Sequence, residues 1–208
     1  MGGRGAFSGA EQVIKNYISL NSDGGTSKKI DANKYGMLRV GEKQIQNEKA
    51  EHLLVYDKIF ESPIAACKGN RHSVAVPNDI DVKDKYITHN HPNENWGGTL
   101  SFADIAVATT KNVKALRAVG REKEGVYIMK KTAEANPQAL NIRIANDQGV
   151  IERKMYQSMA YIKQKFQQGE IKTNSDAKKE LRQAFVGVLH NYYRDVMPKY
   201  GYIYQRGK

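Results

Sequence analysis

Thr88-His89-Asn90-His91-Pro92-Asn93-Glu94-Asn95-Trp96-Gly97-Gly98-Thr99-Leu100-Ser101-Phe102-Ala103-Asp104 is the stretch on which the reading of this chain turns. Two histidines two positions apart at a strand end project from one face, because strand side chains alternate with period two. They can therefore converge on one ion. Pro92 stops the strand and sends the chain into a loop. Ser101 has the chemistry of a helix N-cap, which puts Asp104 at the third helical position, where its carboxylate can turn back toward the strand end. Two imidazoles and a carboxylate leave one tetrahedral position open, the pattern of a catalytic rather than a structural zinc site. Plainer readings exist for each piece. Ser-x-x-Asp is also a capping box, and a His-x-His pair also occurs as a surface or hydrogen-bonding pair.

Working outward, residues 51–56, 63–67, 72–76 and 85–88 have the texture of strands. The turn residues Lys68-Gly69-Asn70 and Pro77-Asn78-Asp79 between them predict an antiparallel meander. A helix is expected from Ser101 to about Val113, then strands over 115–119 and 126–130 around a polar turn at 120–125. Beyond these, Ile151, Met155, Met159, Ile162 and Phe166 form one helical stripe ended by Gly169. Leu181, Phe185, Val188, Leu189, Tyr192 and Val196 form another, opened by a cap at Asn174/Ser175 and closed near Gly201. At the other end, residues 1–9 are glycine-rich enough to predict a flexible leader. A short helix is expected over 10–20 and a linker over 21–29.

The 208 residues suffice for one domain with an appendage. A mean hydropathy of −0.65, with no apolar run near the ~20 residues of a membrane span, argues against an integral membrane protein. The single Cys67 fits a reducing compartment, and no secretory-signal pattern is expected. The formal charge of +11 leaves nucleic acid open as a partner without requiring it. The basic run Lys111–Arg121 and the C-terminal tyrosines interleaved with Arg194, Lys199 and Arg206 are compatible with such contacts and equally with ordinary solvated or packed faces. His52 is expected to face solvent, and Cys67 to be a buried strand residue.

The His89/His91/Pro92/Ser101/Asp104 pattern resembles the JAB/MPN family, the JAMM zinc metalloproteases, whose signature is an upstream Glu, then His-x-His-Pro, then Ser-x-x-Asp. The resemblance covers residues 47–131. It implies zinc held by His89, His91 and Asp104, Ser101 as an oxyanion donor, and an upstream glutamate as general acid/base. Glu51 fits that place, opening a strand 38 positions before His89, with Glu48 and Glu61 as runners-up. The chain departs from the family in one respect: twelve residues, not ten, separate His91 from Asp104, the extra pair falling in the 93–98 loop around Trp96. The opening Met1-Gly2-Gly3-Arg4-Gly5 is similar to leaders of tailed-phage head-associated proteins, some of which carry JAB-like domains. That similarity implies a phage or prophage source and a host-cytoplasmic location.

The expected fold is α/β: a JAB/MPN-like mixed, mostly antiparallel sheet flanked by helices, with an α-helical C-terminal extension. The expected division is a leader over 1–30, the JAB/MPN-like domain over 31–132, and a helical hairpin over 133–208 packed on the domain or on a partner. The implied activity is zinc-dependent hydrolysis of a peptide or isopeptide bond in a protein or peptide substrate. Two rivals use the same features differently. One is a metal-dependent hydrolase or anti-host factor acting on nucleic acid. The other is a non-catalytic phage interaction protein that keeps the fold and docks a phage or host protein through its C-terminal helices.

Overall fold

His52-Leu53-Leu54-Val55-Tyr56 is buried at every position, because it lies inside a sheet covered on both faces. The structure, a computed structural model, describes residues 27–92, 99–121 and 125–207. Seven strands, β1 (Lys28–Ile30), β2 (His52–Tyr56), β3 (Ala65–Lys68), β4 (Tyr86–Asn90), β5 (Ala115–Val119), β6 (Val126–Lys131) and β7 (Tyr202–Gly207), form one open sheet in the order β1-β3-β2-β4-β5-β6-β7. Every pair is antiparallel except β4–β5, which is parallel. The parallel pair needs a crossover, and helix α2 (Phe102–Thr110) lies in that connection.

Alternation along the strands sorts side chains between two layers. On one face α1 (Leu38–Ile45) packs Leu38 and Ile45 against Leu54, Tyr56 and Ala66. Two apolar anchors are too few to stand out as a stripe in the sequence. On the other face Leu53, Val55, Ile87, Leu116 and Tyr127 meet α2, α3 (Pro137–Gln167) and α4 (Asn174–Val196) through Ile105, Leu140, Phe185 and Leu189. Behind β4, on the α1 side, Arg117 donates Nε and Nη2 to the buried Glu42, and the Thr88 hydroxyl donates to Glu42 Oε1 at 3.1 Å. Buried charges persist when paired and hydrogen-bonded in this way.

Several expectations are corrected. Residues 72–76 form no strand. Asn70 Oδ1 accepts the amide protons of His72 and Ser73 at 2.7 and 2.9 Å, which folds the chain back at once. A Cβ at Gly69 would meet Ser73 O at 2.0 Å, so this fold-back needs glycine. No simple meander exists either, because β2 sits between β3 and β4. His52 is buried, with its Nδ1 3.0 Å from Ala50 O. Helix α3 begins at Pro137, well before the Ile151 stripe; Asn136 caps it by accepting from the Ala139 amide. The cap of α4 is Thr173, one residue earlier than expected. Residues 202–207, expected within the helical hairpin over 133–208, are a strand. Gly201 at φ 75° turns the chain there, and Tyr202 and Tyr204 then alternate inward. Within the basic run Lys111–Arg121, Arg117 points inward to Glu42. The short helix expected over 10–20, the 93–98 loop and Trp96 lie outside the described residues.

Candidate metal centre

Strand β4 carries Thr88 and Asn90 toward the α1 face, and it carries His89, followed by His91, toward α2. The two imidazoles meet at the strand end with their Nε2 atoms 2.8 Å apart. Helix α2 supplies the third group. His89 Nε2 lies 3.2 Å from Asp104 Oδ1 and His91 Nε2 lies 3.5 Å from Oδ2. All three ligand atoms fall within 4.8 Å of one another, and both histidines are buried. Ligands held tetrahedrally at 2.0–2.1 Å from zinc stand about 3.4 Å apart. The 2.8 Å between the nitrogens and the 3.2 and 3.5 Å from them to the two carboxylate oxygens are of the size a single ion needs, and the nitrogen–nitrogen–oxygen donor set suits a transition metal. The two additional residues between His91 and Asp104 do not keep the carboxylate from the histidines.

At the N-terminus of α2 a capping box and an inward-facing carboxylate coexist. Ser101 Oγ accepts from the Asp104 amide at 3.1 Å, and Asp104 Oδ2 accepts from the Ser101 amide at 2.7 Å, a complete capping box. The same carboxylate faces both imidazoles. The cap thus orients the carboxylate toward the imidazoles, as an outer hydrogen bond orients ligands around bound metals. Burial alone would raise the Asp104 carboxyl, but His89 and His91 beside it hold it well below the usual carboxylate range.

Glu51 stands directly before β2. Its amide donates to Asn70 O at 2.7 Å and its carbonyl accepts from the Gly69 amide at 2.8 Å. Burial pushes its carboxyl up to about 7, against the lowering influence of His91 and of a hydrogen bond from the Val74 amide; Asp104 adds to the rise. Glu51 lies outside the ligand cluster yet feels the charge of two of its members. The runners-up stand elsewhere: Glu61 is exposed and pairs with Lys58 at 2.8 Å, and Glu48 is exposed just after α1.

Two participants escape the sequence reading. Val74 belongs to the 72–76 segment, and only the fold-back at Gly69 delivers its amide to Glu51. Asn90 hides between the histidines. Its signal is a polar residue at a strand position where the α1 face demands burial. Comparison with known proteins returns nothing: no protein-family model, no curated protein and no solved structure matches the chain.

Proposed function

We propose that this protein is a zinc-dependent hydrolase that cleaves a peptide or isopeptide bond. The observation that carries the reading is the convergence of His89, His91 and Asp104 on one point; the buried Glu51 carboxyl, which feels the charge of His91 and Asp104, supports it. The JAMM-like order of these residues supports the same class. Held by His89, His91 and Asp104, zinc would supply a Lewis acid for the scissile carbonyl and would make water more acidic. Burial gives the Glu51 carboxyl a higher proton affinity than an exposed glutamate, so Glu51 can take a proton from the attacking water and return it to the leaving amine. The Ser101 oxygen already accepts one bond from the Asp104 amide, and its own proton is left to donate to the developing oxyanion. The basic run lends less support to a nucleic-acid substrate, because Arg117 at its centre is committed to Glu42.

Metal analysis of the purified chain should find one zinc per protein, with cleavage of peptide or lysine-linked isopeptide substrates. Glu51→Gln should keep the zinc and lose about 10²–10⁴-fold in turnover, whereas Asp104→Ala should lose both. Protein without stoichiometric zinc would sink the proposal. Full activity in Glu51→Gln alongside none in Asp104→Ala would show another group to be the base.

A further inference from the structure

We infer that Asn90 is a positioning residue that fixes the Glu51 main chain next to the strand end carrying the two histidines, an inference resting on the hydrolase reading above. Asn90 is fully buried between the two histidines, and its side chain leaves β4 on the face opposite theirs. Its carboxamide spans the residues on either side of Glu51. Oδ1 accepts from the His52 amide at 2.6 Å, and Nδ2 donates to Ala50 O at 3.1 Å and, at the longer distance of 3.5 Å, to Glu48 O. The partners fix the orientation of the amide, since only the oxygen can face an N–H and only the nitrogen a carbonyl.

The β2–β4 ladder has its last registered pair at Leu53 and His89. Beyond that pair the main chains no longer hold each other, and the Asn90 side chain continues the pairing through a group shaped like a peptide unit. On the opposite side Gly69 and Asn70 hold the Glu51 backbone through its carbonyl and amide. Glu51 is thereby bracketed: β3 and its turn on one side, Asn90 on the other. One strand position thus links the ligands to the base. Its neighbours bind the ion, and its own side chain sets where the proton-transfer group stands. A displacement of about 1 Å in such a group costs on the order of 10²-fold in rate.

The test uses the full chain and two variants. Asn90→Ala removes all three hydrogen bonds. Asn90→Thr keeps a strand-compatible side chain but is too short to span Ala50 and His52, and it guards against a variant that fails to fold. In chelated protein, amide exchange at His52 should quicken at least about tenfold while Leu54 and Val55 stay protected. With zinc, both variants should keep stoichiometric metal and an unchanged KM while kcat falls about 10–100-fold. Placed on Glu51→Gln, neither should cost anything further, because a residue acting through Glu51 has nothing left to position. Unchanged exchange at His52, loss of zinc, or a full additional loss on Glu51→Gln would overturn the inference. Wild-type protein with no hydrolytic activity would instead sink the hydrolase reading, and the exchange measurement would still decide whether Asn90 holds residues 50–52.

Discussion

Burial of the Glu51 carboxyl has a cost that depends on pH, and the sign follows from linkage. Its pKa is about 7 in the fold and the ordinary 4.5 unfolded, so folding favours the protonated form. Its contribution to stability is complete below 4.5 and is lost as pH rises through about 7. Between pH 5 and pH 8 the loss amounts to about 2–3 kcal/mol by the pKa difference. Glutamine has the same shape and no charge. In metal-free protein, denaturant unfolding should therefore show Glu51→Gln gaining on wild type by roughly that amount from pH 5 to pH 8. A stability difference that is flat with pH would mean the Glu51 carboxyl ionises as freely as in water. A divalent cation nearby favours the carboxylate, so zinc should reduce the difference, and chelation should restore it.

At the level of elements, the first turn of α2 caps its own helix and, in the proposed reading, also serves the site, and substitution separates the two. Ser101→Ala removes the cap to the Asp104 amide and should cost about 1 kcal/mol in unfolding free energy. Ser101→Asn restores an N-cap of equal quality and should regain that stability. If the serine hydroxyl serves the oxyanion, Ser101→Ala should also lose about 10²-fold in kcat; full activity in Ser101→Ala would leave Ser101 a cap alone. This turn also shows how much could be read without coordinates. The strand carrying His89, the stop at Pro92, the cap at Ser101 and the inward Asp104 all follow from local chemistry, and they are what the structure contains. What stayed hidden depends on contacts distant in sequence. The 72–76 segment has strand composition, yet Gly69 and Asn70 bend it over Glu51. His52 looks like the polar half of an alternation until β2 proves to be covered on both faces. The Tyr202 and Tyr204 alternation is strand-like, but it follows so closely on a long helix that it merges with the helical pattern.

For the molecule as a whole, the residues beyond 132 build the site as much as those before it. β7 pairs with β6 along its length, from Val126 against Gly207 to Lys131 against Tyr202. Phe102, the first residue of α2, packs edge-on against the ring of Tyr193 in α4, with centroids 6.1 Å apart. One buried cluster runs from Leu53 and Ile87 through Ile105 to Leu140, Leu189 and Tyr204 without a break. Removing residues 133–208 would expose the inner faces of β5 and β6, leave β6 as a bare edge, and strip α2 of its support. Each fully buried Leu or Phe side chain contributes about 1.5–3 kcal/mol, so loss of the contacts made by Leu140, Phe185 and Leu189 alone approaches the whole stability of an ordinary domain. A chain ending at residue 132 should therefore lack a cooperative thermal transition and dispersed amide resonances. It should also bind zinc more weakly than the full chain, because Asp104 is no longer held toward His89 and His91. A cooperative, zinc-binding fragment would instead show that the helices and β7 are an appendage to a domain complete without them.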